Sequence, residues 1–181
     1  LMSSRVGGSE EALATMTCER LATPDAHLLI GGYGMGFTLR AALDVLGPNA
    51  RATVVEIVPE IIDWARGPMA TLTAGCLDDP RVVLVVGDVA ASIAPDRYDA
   101  ILLDVDNGPD GLTRAANDGL YSVHGIARAK AALKPGGVLA VWSAAPSMAF
   151  TRRLRDAGFA VEEATVRARR SCRRADPASA P

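Results

Sequence analysis

Alternation of short apolar runs with helical segments is the feature that most constrains how this chain of 181 residues can fold. From Pro24 onward, each apolar run typical of a buried strand is followed by a stretch with helical character. Such repeats build a mostly parallel, doubly wound α/β sheet with right-handed crossovers and helices on both faces. The predicted strands are His27–Gly31, Ala52–Ile57, Val82–Val86, Ala100–Asp104, Val138–Trp142 and Phe159–Val166, and the predicted helices are Ser9–Leu21, Gly36–Leu46, Pro59–Met69, Val89–Ile93, Gly119–Leu133 and Ser147–Ala157.

The length and the charge distribution indicate a single domain with two flanking segments. We divide the chain into an N-terminal helical segment (residues 1–23), a Rossmann-like domain (24–166) and an Arg-rich tail (167–181). The tail holds five of the 19 basic residues, whereas the first 166 residues carry 14 basic and 20 acidic residues. This acidic body argues against a broad nucleic-acid surface. We expect a solvated, flexible tail, with contact to RNA or phosphate as the alternative.

Membrane insertion and secretion are not expected from the sequence. No apolar run approaches the roughly 20 residues needed to span a bilayer. The first eight residues show neither an apolar signal core nor clustered positive charge. The three cysteines, Cys18, Cys76 and Cys172, are scattered singly and predict neither a metal-binding pair nor a disulfide framework. We therefore expect a cytoplasmic protein.

A glycine-rich turn follows the first predicted strand, with Gly32, Gly34 and Gly36 at alternate positions. Glycines allow a tight turn and let a ligand approach the backbone closely. A nicotinamide dinucleotide site would require its third glycine at Phe37. The spacing is instead typical of sites for S-adenosylmethionine, so we predict that these three glycines bind that cofactor. An ordinary loop is the alternative.

Acidic residues follow the next three predicted strands, at the edge where open parallel sheets bind ligands. Glu56, 20 positions after Gly36, is placed to accept hydrogen bonds from ribose hydroxyls, the alternative being a surface glutamate. Asp88 is placed to bind the adenine amino group, to cap the following helix, or both. Asp104 is expected to face the sulfonium centre, where a carboxylate can hold a cationic amine and take its proton. An Asx-type turn is the alternative for Asp104.

The loop after Asp104 supplies the candidate residues for binding the acceptor substrate. Asp106 and Asn107 follow Asp104 directly and can reach the same cleft. These three residues are a conceivable metal site, but no histidine or further acidic residue supports it. We expect no metal.

Five segments of the chain, taken in order, carry a resemblance to a known family. They are Leu29-Ile30-Gly31-Gly32 with Thr38-Leu39-Arg40, Val54-Val55-Glu56-Ile57 with Pro59-Glu60, Asp79-Pro80-Arg81-Val82 with Gly87-Asp88, Tyr98-Asp99-Ala100-Ile101 with Asp104, and Leu133-Lys134-Pro135-Gly136-Gly137-Val138-Leu139. Together they resemble the spermidine synthases, or polyamine aminopropyltransferases, over about residues 28 to 142.

This resemblance implies a fold of the class I S-adenosylmethionine-dependent methyltransferase type and a homodimer. It also implies decarboxylated S-adenosylmethionine as the aminopropyl donor and a polyamine as the acceptor. Asp104 is then the base, Glu56 binds the ribose and Asp88 lies near the adenine. Asn107 stands where family members carry a second acidic residue.

Three functions from different classes remain open at this point. The leading hypothesis is a transferase that moves an aminopropyl group to a small amine, with Asp104 at the reacting centre. The second is an S-adenosylmethionine-dependent methyltransferase acting on a small molecule. The third is a non-catalytic domain that binds a nucleoside or a partner. Relative affinity for S-adenosylmethionine and its decarboxylated form distinguishes the first two, and the activity of an Asp104→Asn variant tests the third.

Overall fold

A single parallel sheet forms the centre of the molecule in the computed structural model, which describes residues 7–105, 108–109 and 118–166. Its five strands lie in the order β3-β2-β1-β4-β5 and all neighbours are parallel. The strands are β1 His27–Gly31, β2 Arg51–Glu56, β3 Val82–Val86, β4 Tyr98–Leu103 and β5 Leu133–Val141. The predicted Rossmann-like α/β sheet is therefore confirmed.

The predicted helix Gly119–Leu133 is divided in two and the predicted helix Pro59–Met69 ends at Arg66, but helices connect the strands as predicted. They are α1 Gly8–Cys18, α2 Phe37–Val45, α3 Pro59–Arg66, α4 Ala70–Thr73, α5 Val89–Ser92, α6 Asp118–Tyr121, α7 Val123–Ala132 and α8 Met148–Asp156, with a short 3-10 helix at Cys76–Asp78. Gly67 and Pro68 separate α3 from α4. The Ser122 hydroxyl accepts a hydrogen bond from the Gly125 amide at 3.1 Å and so begins α7 as a new helix. Across the described ranges, none of these helices has the length and apolar composition needed to cross a membrane.

Apolar side chains cover both faces of the sheet, as the doubly wound arrangement requires. Along β1, Leu28 and Ile30 belong to one buried cluster, whereas Leu29 belongs to another on the opposite face. Alternate residues of a strand point to opposite faces, so both faces are buried here. Ala14 of α1 is fully buried in the first cluster, so α1 packs onto the sheet domain.

The prediction of a sixth strand at Phe159–Val166 is wrong. These residues are described but adopt no regular structure. Residues 138–141 of β5 and residues 159–166 both line a groove of about 530 Å³. A strand requires hydrogen bonds to a neighbouring backbone, and in the described part of the chain residues 159–166 form no ladder with β5. The predicted Arg-rich tail lies outside the described residues.

Candidate functional site

The carboxyl ends of the central strands meet at one edge of the sheet, where the strand order reverses between β1 and β4. The amide of Gly32 donates to the carbonyl of Val55 at 2.8 Å, which ties the turn after β1 to β2. The amide of Asp104 donates to the carbonyl of Gly31 at 2.9 Å, which ties the end of β4 to β1. Open α/β sheets bind their ligands at such a switch point.

The glycine turn has a backbone that glycine adopts far more readily than other residues. Gly32, Gly34 and Gly36 have φ angles of 86°, 54° and 75°, all in the left-handed region. The amide of Gly36 donates to the carbonyl of Tyr33 at 2.8 Å and closes the turn just before α2. The Tyr33 side chain is buried and anchors the turn to the core. The turn is therefore held in place by its own hydrogen bond and by the buried Tyr33 side chain.

Two of the three glycines are required by packing within the protein itself. A Cβ atom on Gly32 would overlap the backbone carbonyl oxygen of Asp104. A Cβ atom on Gly36 would lie 2.8 Å from the hydroxyl oxygen of Tyr33. Internal packing therefore explains the absence of side chains at Gly32 and Gly36. Contact between the three glycines and a cofactor stays a prediction.

Glu56 joins the glycine turn to the segment that leads into α3. Its side chain is buried, with 5% exposure, so the alternative of a surface glutamate is wrong. One oxygen, Oε2, accepts hydrogen bonds from the amides of Tyr33 at 2.9 Å and Gly34 at 3.5 Å. The other, Oε1, accepts from the amide of Val58 at 2.9 Å. An ionised carboxylate has about four acceptor sites, so capacity remains for a ribose hydroxyl.

Asp88 is exposed and caps α5. Its Oδ1 accepts a hydrogen bond from the Ala90 amide at 2.8 Å, which is the N-cap contact considered from the sequence. The preceding Gly87 donates its amide to the carbonyl of Glu56 at 2.8 Å, so Asp88 lies at the same edge of the sheet as Glu56. A role for Asp88 in binding adenine stays a prediction.

Asp104 follows β4 and contacts a residue that the sequence analysis did not single out. Its Oδ2 accepts a hydrogen bond from the Thr38 hydroxyl at 3.0 Å. The pKa of Asp104 is raised to about 6, mainly by burial; the Thr38 hydrogen bond lowers it and the charge of Glu10 raises it. The expected position of Asp104 beside a sulfonium centre stays a prediction.

The remaining predicted acceptor-binding residues, Asp106 and Asn107, lie outside the described residues. Gly108, which follows them, has a φ of 88°, and a Cβ atom there would collide with Ser143. The loop after β4 therefore passes close to the segment that follows β5. Within the described ranges, no cluster of three or more histidine, cysteine, aspartate or glutamate side chains is arranged to hold a metal ion.

Two exposed apolar side chains lie beside Glu56 and were not predicted as site residues. Ile57 follows Glu56 and is 50% exposed, and Val86 pairs with Glu56 across the β2–β3 ladder and is 54% exposed. Exposed apolar side chains near a buried carboxylate are candidates for contact with a ligand. Ile57 follows the end of β2 and Val86 ends β3, so the strand-end pattern that indicated Glu56 also indicates these two positions.

The sheet order, the glycine turn and the buried Glu56 define a Rossmann-like domain of the methyltransferase type. Comparison with known proteins identifies the family within this class. The model of the spermine/spermidine synthase domain matches residues 8–154, and the chain belongs to this family.

A curated relative agrees with this assignment, and solved structures share the fold. The chain is 34% identical over 145 residues to the polyamine aminopropyltransferase of Mycobacterium tuberculosis (strain CDC 1551 / Oshkosh). The match covers 74% of this chain but 27% of that protein, so this chain spans only part of its relative. The spermidine synthase structure from Thermotoga maritima has a TM-score of 0.68 at 24% identity, covering 83% of this chain and 51% of that one. The structure of human methyltransferase-like protein 13 in complex with SAH has a TM-score of 0.53 at 22% identity. This match covers 72% of this chain and 60% of that chain.

Proposed function

We propose that this domain binds decarboxylated S-adenosylmethionine and transfers its aminopropyl group to a small amine, with a polyamine as the candidate acceptor. The observation that carries the proposal is Asp104 at the carboxyl end of β4: its backbone carbonyl packs against Gly32 of the glycine turn, and its partly buried carboxyl group accepts a hydrogen bond from Thr38 at the start of α2. The family assignment supports it, since curated relatives of this chain are named polyamine aminopropyltransferases.

The residues around the glycine turn fit a nucleoside with a short charged chain. The remaining acceptor capacity of Glu56 suits ribose hydroxyls, and the exposed side chains of Ile57 and Val86 suit one face of an adenine ring. When bound, the donor supplies a carbon atom activated by a neighbouring sulfonium. The turn Gly32–Gly36 and the Asp104 carboxylate would then flank that carbon.

Asp104 would act on the acceptor amine. As the amine nitrogen forms a bond to the activated carbon, the carbon–sulfur bond breaks and methylthioadenosine is released. The nitrogen loses one proton, and the Asp104 carboxylate takes it. Because burial raises the pKa of Asp104 to about 6, the group is ionised as a base at neutral pH and yet close to the range where general bases are most effective.

Calorimetric titration of the 181-residue chain tests the donor. S-adenosylmethionine, its decarboxylated form and methylthioadenosine are compared on the wild type, on Glu56→Gln and on Glu60→Gln as the matched control. We expect the decarboxylated form to bind more tightly than S-adenosylmethionine, and Glu56→Gln alone to weaken binding. Tighter binding of S-adenosylmethionine would favour methyl transfer instead, and no binding by any of the three would contradict the proposal.

An assay of aminopropyl transfer to a panel of diamines and polyamines tests the chemistry. Asp104→Asn should lose about 10²-fold or more in turnover, the range attributed to a positioned base. Asp63→Asn, on the exposed side of α3, is the control and should retain activity. Nucleoside binding without turnover in the wild type would identify a non-catalytic binding domain.

A further inference from the structure

We propose that Thr38 is a positioning residue for Asp104: its hydroxyl holds Oδ2 of the carboxylate, so that Oδ1 is the oxygen that takes the proton of the acceptor amine. This inference rests on the proposed function and deepens it. It concerns a side chain on α2 that no motif or similarity assigns to the reaction.

The contact joins two residues that are 66 positions apart. Thr38 Oγ1 lies 3.0 Å from Asp104 Oδ2, and Thr38 is 2% exposed. The hydroxyl has a single hydrogen, and its second oxygen neighbour is the carbonyl of Glu10 at 3.5 Å. A hydrogen bond to an ionised carboxylate is stronger than one to a carbonyl, and the shorter distance agrees with this assignment.

The surroundings of Thr38 keep this hydroxyl in place. Thr38 is β-branched and lies in the first turn of α2, so its side chain has few rotamers available. Gly36 before it and the buried Leu39 after it fix the start of the helix against the core. A rigid donor restricts the rotation of the carboxylate to which it is bonded. Asp104 is thereby oriented before any ligand binds.

The same hydrogen bond also lowers the pKa of Asp104. Burial and the Glu10 carboxylate on α1 both raise the pKa of Asp104, whereas the Thr38 hydroxyl on α2 lowers it. Removal of the hydroxyl leaves the two raising effects unopposed. The Asp104 pKa should then rise, and a smaller fraction of the group should be ionised near neutral pH.

NMR titration of the Asp104 side-chain carbon in the 181-residue chain tests this inference without any ligand. Asp104→Asn assigns the signal. In Thr38→Val, which keeps the shape and removes the hydroxyl, the titration midpoint should rise by about one pH unit. In Thr38→Ser, which keeps a hydroxyl, the midpoint should stay close to that of the wild type. Thr38→Ala carries the same expectation as Thr38→Val and replaces it if the valine variant does not fold.

An unchanged midpoint in both Thr38→Val and Thr38→Ala would overturn the proposal. The acidic limb of the pH profile for kcat/KM provides a second readout, and it should shift upward with the midpoint in Thr38→Val. Failure of the proposed function would show as absent nucleoside binding or turnover in the wild type. The NMR titration remains interpretable in that case, so the two failures are distinguishable.

Discussion

Gly32 and Asp104 are in direct backbone contact, because the carbonyl oxygen of Asp104 occupies the space that a Cβ atom on Gly32 would fill. The contact brings the turn after β1 against the end of β4, which is where the proposed base lies. A glycine that would be assigned to ligand binding from its motif alone therefore has a role in the apo protein. It allows the turn to pack closely against the end of β4.

Gly32→Ala should destabilise the protein through two effects, a strained φ of 86° and a collision with Asp104. Gly136→Ala is the matched control, since Gly136 has a φ of 79° with no heavy atom near the added Cβ. The control variant should lose about 1–2 kcal/mol in the free energy of unfolding, because of the left-handed backbone alone. Gly32→Ala should lose about 1–3 kcal/mol more than the control when both are measured by urea unfolding. Equal losses in the two variants would show that the contact with Asp104 does not constrain the turn.

Glu56→Gln should lower stability even without a ligand, because both carboxylate oxygens accept backbone hydrogen bonds. The amide group of glutamine would turn its NH2 toward either the Tyr33 or the Val58 amide, and a buried donor would lose its acceptor. We expect a loss of about 1–3 kcal/mol in the free energy of unfolding. Glu60→Gln, at an exposed position of α3, should change it by less than about 0.5 kcal/mol. A Glu56→Gln variant as stable as the wild type would contradict the observed hydrogen bonds.

The sequence predicted the five parallel strands and the edge where the site lies. Each central strand is a continuous apolar run, which is typical of strands buried on both faces, and the residues that follow each run converge by topology. The structure shows that Glu56 is buried and leaves its role in binding ribose a prediction. The structure shows the N-cap contact of Asp88 and leaves its role in binding adenine a prediction.

Two features of the structure could not be predicted from the sequence, because they depend on contacts between residues that are distant along the chain. Phe159–Val166 has apolar residues at strand-like spacing, yet a strand also requires a partner backbone, and among the described residues this segment forms no ladder with β5. From the neighbouring sequence alone, Thr38 is predicted only to lie at the start of a helix. Its contact with Asp104 depends on how α2 is oriented over the sheet, which the glycine turn and the core determine together.

Arg81 connects β3 to the end of α2, the helix that begins beside the site. Its Nη1 donates to the carbonyls of Leu43 at 3.1 Å and Leu46 at 2.9 Å. Its Nε and Nη2 donate to the two carboxylate oxygens of Asp79. Lysine lacks the fork needed for these simultaneous contacts. Arg81→Lys should therefore lower the free energy of unfolding by about 1–3 kcal/mol. Arg66→Lys, at an exposed position, should have a much smaller effect, and similar losses in both variants would refute this role for Arg81.

The contribution of Asp104 to the stability of the wild type should fall as the pH rises from about 4 to about 6. Burial raises the pKa of Asp104 to about 6 in the folded state, whereas an unfolded aspartate titrates near about 3.9. Between these values the folded state binds more protons than the unfolded state, so each increase in pH favours unfolding. The contribution is fully present below about pH 4 and is lost by about pH 6, amounting to about 3 kcal/mol.

Urea unfolding of the wild type and of Asp104→Asn across this pH range measures the contribution of Asp104, since the other titrating groups are common to both proteins. The stability of Asp104→Asn relative to the wild type should increase with pH, and a constant difference would mean that Asp104 titrates as an ordinary solvated aspartate.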